Sequence, residues 1–72
     1  MILLKNDKVA KFLGMTKPQM YKLMTVDGLP IGLVSRNPFY NKYFVYKDML
    51  EKVIGRELTE NEVEEMRKRK DD

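Results

Sequence analysis

Only Gly14 and Met15 separate two stretches that each carry helical spacing, and that short link constrains the fold more than anything else in the sequence. Upstream, Val9, Phe12 and Leu13 fall on one face with the small Ala10 beside them, and Lys8 and Lys11 point away, which predicts a first helix over residues 7–13. Asn6 or Asp7 is expected to cap it, and Gly14 to end it as a residue free to take positive φ. Downstream, Thr16 is a good N-cap, Gln19 stands three residues on as in a capping box, and Pro18 lies in the first turn, where a missing N–H costs nothing. The second helix is expected to run to about residue 26, with Met20, Leu23 and Met24 toward the core and Lys17, Tyr21 and Lys22 outside. Two short helices joined by so tight a turn cannot lie side by side over much length. They are expected to cross steeply, as in a helix-turn-helix.

The remaining chain adds β character and then more helix. Asp27, Gly28, Leu29 and Pro30 stop the second helix. Residues 31–35 and 42–46 are rich in branched and aromatic side chains and flank a tip of about six residues, 36–41, which reads as a hairpin. A two-stranded ribbon is not stable alone, so Ile31, Leu33, Phe44 and Tyr46 are expected to face the helices. A third helix is expected over residues 47–54, starting near Asp48, buried through Met49 or Leu50, Val53 and Ile54, and ended by Gly55. Thr59 to Glu62 forms a second capping box opening a last helix over residues 60–69, with early acids and late bases. Its apolar residues are few (Leu58, Val63 and Met66), so it docks by one edge, joins a partner chain or frays. Ile2, Leu3 and Leu4 read as a short extended segment against the core. The expected fold is mainly α with a small β-hairpin, ordered α-turn-α-β-β-α plus a C-terminal helix, with residues 1–55 as the main unit and residues 56–72 as a charged helix and tail.

A chain of 72 residues makes one small domain, and a domain near 60 residues buries only about 60% of its unfolded surface. Cysteine and histidine are both absent, which removes thiolate sites, the commonest metal ligand and the commonest general base, so neither catalysis nor a metal or other cofactor is expected. The apolar runs fall well short of the roughly 20 residues that span a bilayer, and the first residues lack the pattern of a signal peptide. A cytoplasmic protein with no membrane partner and no small-molecule ligand is expected. Charge is uneven: residues 1–50 hold eight Lys and Arg against three acids, net +5, and residues 51–72 hold six against eight, net −2. The basic excess of the first two-thirds suits a polyanion.

Val9-Ala10, Leu13-Gly14, Thr16, Met20, Tyr21, Lys22 and Leu23, followed by Gly28-Leu29-Pro30, a hairpin, and Val45 to Glu51, resemble the small excisionase-type winged-helix domains of the MerR-like superfamily over residues 2–54. The resemblance implies binding to double-stranded DNA, with the second helix in the major groove and the hairpin wing on the flanking backbone or minor groove. It carries over the contact positions Thr16, Lys17, Gln19, Tyr21 and Lys22. Thr16 and nearby N–H groups suit phosphate, Lys17 and Lys22 neutralise it, Tyr21 hydrogen-bonds it, and Gln19 either reads an adenine edge or closes the capping box. At the wing, Arg36, Asn37, Tyr40 and Lys42 fit phosphate or minor-groove contacts. Two features depart from the family. The tip Pro38-Phe39-Tyr40 is apolar and aromatic, suited to wedging against DNA sugars or to meeting a protein, and no long dimerising helix or effector domain follows, so inducer sensing is not expected. The basic run Arg67-Lys68-Arg69-Lys70 is offset by neighbouring acids and by Asp71 and Asp72. The implied role is an accessory, architectural factor of a phage or mobile element, self-associating on DNA or acting with a recombinase. The alternatives are a small transcriptional repressor, a phage DNA-packaging or replication subunit, and a protein-interaction module of the same fold.

Overall fold

The link between the first two helices is a complete Schellman turn. In the computed structural model, which describes residues 1–69, helix α1 (Asn6–Phe12) ends where Gly14 takes φ 75°. The Gly14 N–H then donates to the Lys11 carbonyl at 3.1 Å and the Met15 N–H to the Ala10 carbonyl at 2.9 Å. Helix α2 (Lys17–Thr25) begins at once, with both arms of the Thr16/Gln19 capping box made. The N-cap of α1 is Lys5, which makes no side-chain cap bond, so the expectation that Asn6 or Asp7 caps it is corrected. The Asn6 amide is occupied elsewhere.

Four helices and a three-stranded antiparallel sheet make up the fold, with the helices and hairpin in the expected order and one strand more. Strand β1 (Leu3–Leu4) precedes α1, and β2 (Gly32–Arg36) and β3 (Asn41–Tyr46) form the hairpin. The sheet order is β1-β3-β2, with Leu4 opposite Val45 and Gly32 also opposite Val45. Gly32 is required there: a Cβ would fall on the Phe44 carbonyl, 2.7 Å from its carbon and 2.8 Å from Val45 Cα.

Two hairpin expectations are corrected. Arg36 pairs with Asn41, so the tip has four residues, 37–40, rather than six. The inward face is Val34, Tyr43 and Val45, while Leu33 is 56% exposed and Phe44, its cross-strand partner, lies on the same outer side. Ile31 is buried, but it occupies the bend before β2, so counting alternation from it puts every strand residue on the wrong face.

One core draws on every element but β2, whose Val34 only packs against it: Leu4, Val9, Ala10, Met20, Met24, Ile31, Val45, Leu50, Leu58 and Met66. Helix α3 (Lys47–Ile54) contributes Leu50 rather than Met49, and Val53, expected inside, is 40% exposed. Leu23 is half-buried at the rim of α2. The start of α3 is capped at Tyr46, with Asp48 in its first turn. Helix α4 (Glu60–Met66) docks through Met66, with Leu58 buried just ahead of it, and stops short of the expected residue 69. Arg67 turns extended and bridges Leu4, with Lys5 N–H donating to the Met66 carbonyl at 2.6 Å and Lys68 N–H to the Leu3 carbonyl at 2.8 Å. The backbone hydrogen bonds available along the open edge of β1 outcompete another helical turn. Arg67, Lys68 and Arg69 therefore lie beyond the helix; Lys70, Asp71 and Asp72 fall outside the described residues.

Candidate nucleic-acid interface

Helical geometry divides α2 into stripes. Met20 and Met24 face the core, and opposite them Pro18 and Lys22 are exposed. Lys17, Tyr21 and Thr25, four residues apart, form the flank toward the hairpin. Tyr21 stacks on Tyr43 of β3 with ring centroids 3.9 Å apart and planes 6° from parallel. One turn on, the Thr25 hydroxyl meets the Tyr43 hydroxyl at 3.1 Å, and the Asn41 amide donates to that same oxygen at 3.4 Å. These bonds, the one from Thr25 foremost, hold the Tyr43 phenol below its ordinary pKa, with a smaller contribution from the charge of Arg36.

Asn6 completes the junction. Its amide nitrogen donates to the Tyr21 hydroxyl at 3.1 Å and to the Tyr43 carbonyl at 2.9 Å, tying the start of α1 to both α2 and the central strand. Neither Asn6, Thr25 nor Tyr43 stands out in the sequence, because their partners lie 15 to 37 positions away.

The expected contact residues divide accordingly. Thr16 and Gln19 are exposed and bound to each other: Thr16 Oγ1 accepts the Gln19 N–H at 3.3 Å, and Gln19 Oε1 accepts the Thr16 N–H at 2.9 Å. Bidentate reading of adenine needs both ends of a glutamine amide, and in this state the Gln19 nitrogen is unengaged while its oxygen is already turned toward the Thr16 N–H. Tyr21 is half-buried; its oxygen accepts from Asn6 and its hydroxyl hydrogen remains to donate. Lys17 and Lys22 are exposed, and among the described residues neither forms an ion pair.

At the hairpin, Arg36 and Asn41 lie on the α2 side with Tyr43, whereas Lys42 lies on the outer face with Ser35. The Lys42 ammonium stands 5.8 Å from the Tyr40 ring, and the Asn37 side chain is used to shape the tip by accepting the Phe39 N–H at 3.0 Å. The structure thus gathers Lys17, Tyr21 and Arg36 on the junction side, and leaves Tyr40 and Lys42 across the ribbon from them.

An open cleft of about 380 Å³ lies beside the stacked tyrosines, and Lys5, Lys17 and Lys68 are among the residues lining it, with Asp7 the single acid among the described residues. Lys5 and Lys68 were not legible as site residues, since Lys68 arrives from the far end of the chain. From residue 8 to residue 47 the sequence holds seven Lys and Arg and one acid, Asp27. Nine of the eleven acids follow residue 47, and two of them, Glu62 and Glu51, tie elements of the fold together. Glu62 takes the Arg56 guanidinium at 2.9 and 2.8 Å and also accepts the Thr59 N–H, which together lower its carboxyl pKa to about 2. Glu51 accepts the Leu58 N–H at 2.7 Å and pairs with Lys47 at 3.0 Å, which lowers its pKa as well.

Among the described residues no cluster of acids has metal-binding geometry, and no helix is long and apolar enough to cross a membrane. Compared with protein-family models, with curated proteins and with solved structures, the chain gives no match.

Proposed function

We propose that the chain binds double-stranded DNA sequence-selectively as a winged helix-turn-helix, with α2 in the major groove and the β2–β3 hairpin on the flanking backbone. The observation that carries this reading is the junction of Tyr21, Tyr43, Thr25 and Asn6, which fixes a basic helix and a basic hairpin as one rigid body. Phosphate contacts position such a body, and they require cations held in register rather than cations alone. Lys17 and Lys22 act on the backbone from α2 and Arg36 from the hairpin, and Tyr21 donates its hydroxyl hydrogen. Lys68 extends the basic surface along the cleft. With Gln19 held in its capping box, base selectivity falls to its free nitrogen and to DNA shape.

A single module of this size covers only about 600–1,000 Å² of DNA-facing surface, so selectivity calls for several copies on adjacent sites. That fits an accessory, architectural role beside a recombinase of a phage or mobile element. A repressor, or a packaging or replication subunit, would use the same surface and differ in where its sites lie and how many copies bind.

The test is binding to duplex DNA from the chain's own genomic neighbourhood over a salt series, for wild type and the double variant Lys17→Ala/Lys22→Ala. The slope of log affinity against log salt should be clearly negative, and shallower by about 2 in the variant, one for each lysine lost. Binding that ignores salt, or a variant with an unchanged slope, would sink the proposal.

A further inference from the structure

The hairpin tip presents the most exposed of the large apolar side chains among the described residues: Phe39 is 92% exposed. It is not loose. The Asn37 carboxamide oxygen takes its N–H, and Pro38 fixes the intervening φ, so the backbone holds the ring away from the fold. Tyr40 beside it is 55% exposed with the Lys42 ammonium over its ring, and Arg36 stands at the other foot of the tip. No acid occurs between Gly28 and Lys47.

An apolar point with a cation at each foot, on a ribbon without acids, is complementary to a polyanion with an apolar interior. Duplex DNA is such a partner, with stacked bases lying between two rails of phosphate. Building on the DNA reading above, we infer that Phe39 is a wedge that enters one base step from the minor groove while Arg36 and Lys42 hold the phosphates on either side. With α2 in the major groove, the adjoining groove within reach of the hairpin is the minor one. Apolar side chains inserted there unstack the step, kink the duplex and untwist it, most readily at flexible pyrimidine–purine steps. On this account one residue supplies the bend, and the lysines of α2 supply the hold.

Untwisting can be read without knowing the target site. Plasmid DNA is relaxed by a type I topoisomerase with the protein bound, then stripped of protein, and its topoisomers are resolved. Wild type should leave negative supercoils that increase with occupancy. Phe39→Ala, compared at equal occupancy, should lose that shift while keeping its melting temperature, because the ring covers nothing in the fold. Phe39→Leu should retain most of the shift, since leucine also serves as a wedge. The wedge is overturned if Phe39→Ala leaves the shift intact, or if wild type binds the plasmid in a salt-dependent way and leaves none, in which case the DNA reading stands. It is also overturned if wild type leaves no shift and self-associates by light scattering in a manner that Phe39→Ala abolishes, which would make the tip a protein contact. Absence of plasmid binding at every salt concentration would end both readings together.

Discussion

Replacing Asn6 by Asp preserves the shape of the side chain and removes both of its donors. The Tyr21 hydroxyl would turn to water at little cost, but the Tyr43 carbonyl, 2.9 Å from the amide in the native junction, would lose its partner in a half-buried place. An unmet buried acceptor costs about 1–3 kcal/mol, and a carboxylate pressed on a carbonyl oxygen adds repulsion, so Asn6→Ala should cost about 1–2 kcal/mol and Asn6→Asp about 2–3. Total stability of a domain this size is only about 4–11 kcal/mol, so either loss is a sizeable share. Each kcal/mol corresponds to roughly 4–8 °C in a small domain, which places the fall in Tm near 5–15 °C for Asn6→Ala and roughly 10–20 °C for Asn6→Asp. Thermal and urea unfolding followed by circular dichroism would measure both. Asn6→Asp should recover part of its deficit below the carboxylate range, where the protonated acid donates again. If Asn6→Asp melts within about 2 °C of wild type at neutral pH, the amide is not the clamp described here.

Two further predictions concern the scaffold. Gly32→Ala sets a Cβ against strand backbone, which cannot swing aside, so the cost should reach or exceed the upper end of the usual 1–3 kcal/mol for overpacking; Gly14→Ala, with open space around it, should cost only the roughly 1–2 kcal/mol of a left-handed residue. Urea midpoints in the reverse order would contradict the register of β2 and β3. The Glu62 carboxyl, lowered from its ordinary 4.5 to about 2 by Arg56 and the Thr59 N–H, contributes stability that is full above about 4.5 and is lost as pH falls through about 2. Melting temperature should therefore drop across that window, and Glu62→Gln should flatten this part of the profile; equal slopes in both proteins would refute the assignment.

The features legible in the sequence are those whose signal is local. Both capping boxes, at Thr16 with Gln19 and at Thr59 with Glu62, depend on a three-residue spacing, and Gly14 on the turn that contains it. The exposure of Lys17 and Lys22 follows from helical periodicity around Met20 and Met24. The features with no local signal depend on distant partners. An Asn ahead of a helix reads as a cap, yet Asn6 spends its amide on α2 and β3. The extended segment at Ile2 to Leu4 is legible as such, but its pairing with β3 on one edge and with Arg67 on the other has no local signal. The hairpin face is hidden for a different reason: one buried residue in a bend, Ile31, shifts a count whose period is two.

The ladder along the outer edge of β1 also sets how the protein responds to force. Leu3 faces Lys68 and Lys5 faces Met66, so the segments leading away from residues 3 and 68 depart from the same end of an antiparallel pair. Within this seam, tension applied through those segments loads the Lys68 to Leu3 bond before the Lys5 to Met66 bond, in the manner of a zip rather than in shear. The seam yields one bond at a time, at low force, and it opens the core beside Leu4 and Met66 first.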